Sequence, residues 1–209
     1  MATEETEGVI KFHLEHKGTK LQNIDIDEID AWRSIFKQTE TIGQIDGRYD
    51  GYGFGNLSQR TDAGFLISGT QTGNIERTNL DDYAEVVRWN AADNSVSSRG
   101  NVSPSSESLS HGVIYDACPQ VAAVFHLHSP DIWHTAGRMG LAVTAATITY
   151  GTPEMADAIK EYTQGSELPN VLAMGGHIDG VVGYGRSLEE TGLVLMRYLV
   201  AAKKMLLKS

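Results

Sequence analysis

A chain of 209 residues, 41% of them apolar, can bury a sizeable core, and its size fits one domain spanning residues 1–209. Its formal net charge of −10 argues against a nucleic-acid or anionic-membrane surface, because either partner would need a basic footprint. Cys118 is the only cysteine, which excludes an intramolecular disulfide and a thiolate-built zinc cage; with no signal-like leader and no long apolar run, a reducing cytoplasm is the expected location, and small molecules and copies of the chain are the expected partners.

Met1 to Gly8 is acidic and polar and reads as a frayed end. Asp25 or Asp27 can cap a helix, and Ile29, Trp32, Ile35 and Phe36 recur at helical spacing through about Gln44. Gly47 to Gly55, dense in Gly and Tyr, should be irregular ahead of short strands at Leu57 to Arg60 and Gly64 to Ser68. Ala84 to Trp89 and Ser95 to Arg99, joined by polar Asn90 to Asn94, form a hairpin pattern. Ser105 or Ser106 can cap a helix that turns Leu109, Val113 and Ile114 inward and stops at Cys118-Pro119.

A buried strand follows at Val121 to His128, then a helix after Pro130 and a strand near Leu141 to Ala145. Thr152-Pro153 opens another helix, and Val171 to Met174 reads as a strand. Ser187 and Glu190 have capping-box spacing ahead of Leu193, Leu195, Met196 and Leu199, a last helix running toward Leu206. The alternation predicts a mixed α/β class.

Chemistry concentrates at three places. His126 and His128 stand at i and i+2 on the apolar strand, so their side chains project from one face and two imidazoles can reach one ion. Imidazole suits zinc and related metals, and a catalytic site uses three protein ligands with a position left open. The plainer alternative is two histidines satisfied by hydrogen bonds at a strand end. Upstream, Glu107 and His111 lie one helical turn apart, where capping by an acidic residue is the simpler reading. Downstream, Gly175-Gly176-His177 ends a strand with small residues that allow close approach to a ligand. Ser68-Gly69-Thr70-Gln71-Thr72-Gly73 offers hydroxyls and backbone amides, which can hold a phosphate without a basic patch, or it is an ordinary turn. Tyr49, Tyr52, Phe54, Trp133 and His134 read as packing, the Arg197, Lys203, Lys204 and Lys208 face as solvated, and His13 and His16 as chemically idle.

Taken together, Gly55-Asn56-Leu57-Ser58, Pro104-Ser105-Ser106-Glu107, Phe125-His126-Leu127-His128-Ser129-Pro130, Tyr150-Gly151-Thr152-Pro153-Glu154, Gly176-His177 and Ser187-Leu188-Glu189-Glu190 resemble, in order, the signatures of the class II aldolase/adducin family. The resemblance covers about residues 27–199 and implies an α/β/α sandwich around a mainly antiparallel sheet, assembled as a homotetramer with active sites at subunit boundaries. It implies that His126, His128 and His177 hold one divalent metal, zinc with manganese or cobalt as alternatives. By the same resemblance Glu107 approaches the metal in the empty site and handles protons when substrate is bound, while Asn56, Ser68, Gly69, Thr72, Gly73, Ser105 and Ser106 grip a substrate phosphate.

The activity so implied is aldol cleavage of a phosphorylated ketose through an enediolate; epimerisation or dehydration of a sugar phosphate uses the same logic, and a non-catalytic adducin-like interaction module is the reading from another class. Two departures bear on the substrate. Thr147 stands where such aldolases often carry a tyrosine acid, for which Tyr150 or a tyrosine near the termini is a substitute, and the His177-Ile178-Asp179-Gly180 run brings Asp179 close behind the third ligand.

Overall fold

The computed structural model describes residues 7–208. In chain order the elements are β1 (His13–Gly18), α1 (Asp27–Gln38), β2 (Gly43–Gln44), β3 (Gly53–Phe54), β4 (Asn56–Thr61), β5 (Gly64–Ser68), β6 (Tyr83–Asn90), β7 (Ser95–Gly100) and α2 (Ser108–Ala117). Then come β8 (Ala123–His128), α3 (Pro130–Thr135), β9 (Ala142–Val143), α4 (Pro153–Thr163), β10 (Asn170–Ala173), β11 (Gly180–Gly185) and α5 (Leu188–Leu206). Nine strands form one sheet in the order β1-β7-β6-β5-β4-β8-β11-β10-β9, while β2 and β3 pair separately. Only the outer pairs β1/β7 and β9/β10 are parallel, so the sheet is mixed but mainly antiparallel.

Strand alternation makes two cores and hence three layers. Phe125 and Leu127 of β8 face one way, into a cluster with Ile29 and Phe36 of α1, Ile132 of α3 and Leu195 of α5. Val124 faces the other way, with Ile114 of α2 and Met155 and Ile159 of α4. His126 and His128 alternate with Phe125 and Leu127, so they lie on the α2/α4 side. Among the described residues no helix is long and apolar enough to cross a membrane.

Several boundaries differ from expectation for local reasons. Helix α1 stops at Gln38 rather than near Gln44, because the Thr39 and Thr41 hydroxyls both donate to the Phe36 carbonyl and Glu40 adopts a left-handed φ of 56°. Its inward face carries Arg33, 1% exposed, whereas Ile35 is 38% exposed. Helix α2 begins at Ser108 with Glu107 as its N-cap, because Ser105 and Ser106 belong to the turn before it, where the Glu107 N–H donates to Ser105 Oγ. In α5 the Ser187 hydroxyl accepts from Glu190 N–H as expected; the Glu190 carboxylate, however, accepts from Arg186 N–H and not from the cap residue, and Leu193 points to solvent with Val194 buried instead. The edge strand β1 and the internal strand β11 add to the elements that the sequence pattern predicts.

The frayed end expected over Met1 to Gly8 fails where it can be seen. Residues 1–6 lie outside the described residues, but Glu7 is only 7% exposed and packs at the end of the sheet beside the histidines.

Candidate metal centre

Sheet register builds the centre. Across β8, His126 pairs with Asn56 of β4 on one side and Val182 of β11 on the other, and His128 pairs with Gly180. His177 arrives from the turn between β10 and β11, where its N–H donates to Met174 O at 3.0 Å and its carbonyl accepts from Gly180 N–H at 3.0 Å. The turn brings the imidazole over Gly180, where a side chain would not fit: a Cβ there would stand 2.5 Å from His177 Cδ2.

The three imidazoles converge. His126 Nε2 and His177 Nε2 are 3.3 Å apart, and the ring centroids are 5.0 Å (His126–His128), 5.1 Å (His126–His177) and 4.8 Å (His128–His177) apart. The carboxylate of Glu7 completes the group, 3.5 Å from His128 Nε2 and 3.8 Å from His177 Nε2, and the four donor atoms all lie within 4.8 Å of one another. His126, His128 and His177 are at most 1% exposed. Tyr49 packs edge-on against His128 at 4.6 Å, and the Tyr150 ring lies 4.6 Å from that of His177.

His126 and His128 are biased toward the form a metal needs. Burial, reinforced by the neighbouring His128 and His177, holds His126 well below its usual pKa; burial likewise lowers His128 against the opposing pull of Glu7. Neutral rings present lone pairs, and ligands must be deprotonated to coordinate. His126 Nδ1 donates to the Val181 carbonyl at 3.2 Å, which leaves Nε2 as the bare nitrogen turned toward His177. Apart from the Glu7 carboxylate, neither ring nitrogen of His128 has a polar partner among the described residues. Three buried imidazoles and one carboxylate, with their ligand atoms within 4.8 Å of one another, fit a divalent cation.

Beside this group lies a cleft lined by Glu7, Gly8, Gly53, Gly55, Asn56, Gly69, Thr70, Gln71, Thr72, Gly73, Ser105 and Ser106. Six of the seven residues expected at a phosphate therefore share one cleft. Ser68 does not line it, and its hydroxyl instead accepts from Leu57 N–H at 3.1 Å. Asn56 Oδ1 is buried without a hydrogen-bond partner among the described residues. The floor is held from below by Arg33, whose guanidinium donates to the carbonyls of Thr72 at 2.8 Å and Ile75 at 2.7 Å.

Glu107 is 1% exposed at the start of α2, and the carboxylate within the four-membered group is that of Glu7, not Glu107. Asp179 accepts a hydrogen bond from Tyr49 OH at 2.7 Å, and Arg48 donates to the same hydroxyl at 3.0 Å, so the aromatic cluster read as packing stands against a metal-type histidine. Thr147 is exposed. Trp133 is structural: its Nε1 donates to Met174 O. Sequence reasoning passes over Glu7 and Arg33. Glu7 sits in an acidic run with no local pattern, and the one available signal for Arg33 is its position on the helix stripe next to Ile29 and Phe36.

Comparison with known proteins follows the same line. The profile of the family described as Class II Aldolase and Adducin N-terminal domain matches residues 46–206. No curated protein sequence matches the chain significantly. Solved structures do. L-fuculose-1-phosphate aldolase from Thermus thermophilus aligns with a TM-score of 0.66 at 18% identity, over 87% of this chain and 92% of that one. YgbL from Escherichia coli, described as a putative aldolase/epimerase/decarboxylase, aligns with a TM-score of 0.65 at 21% identity, over 88% of each chain. A sugar-phosphate aldolase from Thermotoga maritima aligns with a TM-score of 0.67 at 16% identity, over 87% of this chain and 93% of that one.

Proposed function

Because the chain belongs to the class II aldolase and adducin family, we propose that it is a metal-dependent enzyme cleaving a phosphorylated ketose by retro-aldol chemistry, with His126, His128 and His177 as ligands of one divalent ion, zinc for preference. The observation that carries this reading is the convergence of three buried imidazoles, the pair His126 and His128 with the sequence-distant His177, whose ligand atoms lie within 4.8 Å. A divalent ion held there supplies Lewis acidity toward the substrate's oxygens and stabilises negative charge next to its carbonyl.

The chain supplies the rest. In the cleft, the hydroxyls of Thr72, Ser105 and Ser106, the Asn56 side chain and the amides of Gly69 and Gly73 would hold the phosphate, a binding mode suited to an acidic protein. Glu107, buried at the helix start, would handle protons: one leaves the hydroxyl of the carbon that becomes the aldehyde, the adjacent carbon–carbon bond breaks toward the carbonyl, and the resulting enediolate takes up one proton. With Thr147 exposed where family aldolases often carry a tyrosine, Tyr150, packed on His177, is the group nearest to hand for the other fragment. A homotetramer working in the cytoplasm completes the proposal.

The test is metal analysis of purified protein, then a screen of ketose phosphates for aldehyde release, with epimerised sugar and released CO₂ measured in parallel. Aldehyde formation that disappears in His128→Ala supports the aldolase; epimerised product alone moves the assignment to the epimerase reading. Wild-type protein that binds neither zinc, manganese nor cobalt overturns the enzyme in favour of an adducin-like interaction module.

A further inference from the structure

We propose that Glu7 is the fourth ligand of the resting metal site, and that the N-terminal segment carrying it is an intramolecular competitor of the phosphorylated substrate. This rests on the metal reading above. It divides between two residues the duties that the family resemblance gives to Glu107 alone: Glu7 closes the resting site, and Glu107 is left for proton handling.

Geometry comes first. Four donors at zinc bond lengths of about 2.0–2.1 Å in a tetrahedron lie roughly 3.4 Å from one another. The separations here are 3.3 Å for His126–His177, 3.5 Å from His128 to Glu7 Oε1 and 3.8 Å from His177 to Glu7 Oε2. With one donor atom per residue all four lie within 4.8 Å, a spread that a bound ion would draw in and that puts the carboxylate on the side of a fourth ligand.

Charge agrees. Glu7 is buried to 7% exposure, and the groups paired with it among the described residues are His128 at 3.5 Å and His177 at 3.8 Å. Lys11, on the same segment, attracts Glu7 without an ion pair among the described residues, its ammonium donating to Tyr150 O at 3.1 Å and standing 3.6 Å from the Tyr150 ring centroid. A buried carboxylate and imidazoles brought to one point are a donor set that a divalent ion suits.

Placement explains the competition. Gly8 turns the chain at a left-handed φ of +70°, against Gln71 of the phosphate cleft, and buried Phe12 anchors the segment downstream. Glu7 and Gly8 consequently border both the donor group and the cleft that holds Asn56, Thr72 and Ser105. A substrate whose oxygens reach the ion while its phosphate fills the cleft must push this segment aside.

The experiment uses the full chain loaded with Co²⁺ as the spectroscopic probe. In Glu7→Gln the Co²⁺ absorption spectrum should change and the affinity fall at least about tenfold, since even outer partners of metal ligands are worth roughly 10–100-fold. Gly8→Ala, which keeps the carboxylate but strains its turn, should give a smaller loss. Acetohydroxamate, a probe with two metal-binding oxygens, should bind Co²⁺-loaded Glu7→Gln more tightly than wild type, by the factor with which Glu7 blocks the site. If Glu7→Gln matches wild type in spectrum and affinity while His128→Ala loses the ion, the metal reading stands and the assignment of Glu7 is overturned. If wild type binds no Co²⁺, the metal reading fails and this inference falls with it.

Discussion

Two neighbouring rows of one sheet face treat buried imidazoles in opposite ways. In the row of Asn56, His126 and Val182, and the next position at His128, three rings face one another and a carboxylate. One row further along β4 and β8, at Ser58 and Val124, His111 reaches down from α2 into a knot of hydroxyls. Ser58 Oγ, donating to Val124 O at 3.3 Å, can accept from His111 Nδ1 at 2.7 Å and from Tyr115 OH at 2.8 Å. Successive same-face positions on a strand are only about 6.6 Å apart, so burial is shared and the difference lies in the partners. His111 meets a protein hydroxyl through Nδ1, its Nε2 having no hydrogen-bond partner among the described residues, and stands with no second imidazole or carboxylate in a ligand group; His126, His128, His177 and Glu7 gather their donor atoms at one point, which marks a ligand site. The contrast separates His111 from His126 although both are histidines under the same helix layer.

The largest effects should fall on the upper row. His126→Ala should reduce bound metal from about one ion per chain to none after dialysis, checked by elemental analysis, with secondary structure retained. Stripping the ion with a chelator should leave a folded protein that melts lower. Ligand saturating at about 1,000 times its dissociation constant stabilises by roughly 4 kcal/mol, which for a chain of this size is ~8–16 °C in Tm. A chelator-insensitive melt would erase the distinction between the rows. The lower row should give a moderate effect without touching metal: Ser58→Ala leaves His111 Nδ1 and Tyr115 OH without their common partner and should cost about 1–3 kcal/mol in denaturant unfolding, with metal content unchanged.

Legibility in the sequence tracks how local each feature is. His126 and His128 declare themselves because strand alternation puts i and i+2 on one face, and Thr152 and Ser187 because caps are local chemistry. The hairpin β6/β7 is legible for the same reason. Strand β11 is hidden because its glycines at 180, 183 and 185 break the apolar pattern, although its pairing with β8 sets the turn that brings His177 beside His126 and His128. Glu7 is illegible for a different reason: its neighbours His128 and His177 are far away in sequence, and nothing near Glu7 records the contact. Arg33 is hidden by charge, since a buried guanidinium makes sense only once the carbonyls of Thr72 and Ile75 are known to face it. The cleft itself is legible as a set of small and hydroxyl-bearing residues, and Ser68 drops out because the β4/β5 pairing turns its hydroxyl to Leu57 N–H.

The smallest predicted effect is also the one that most directly reads the lower row. Burial pushes His111 down to about 3 from an ordinary value of 6.5, so the ring stays neutral in the fold while the unfolded chain protonates it. A folded pKa below the unfolded one means that the unfolded state binds more protons across that window. Stability from this residue is therefore complete above about pH 6.5 and declines as the pH falls toward 3. The loss begins just below pH 6.5 and grows by roughly 1 kcal/mol for each further unit of acid. His111→Leu removes the titrating ring and leaves Ser58 and Tyr115 bonded to each other, so its stability should fall less steeply with acid than that of wild type. Urea unfolding of the two chelator-treated proteins between about pH 7 and pH 5 measures the difference, because His126 and His128 are present in both and cancel. Parallel curves would mean that His111 carries its proton in the fold, and with it a counter-charge that would make the lower row a second ionic site.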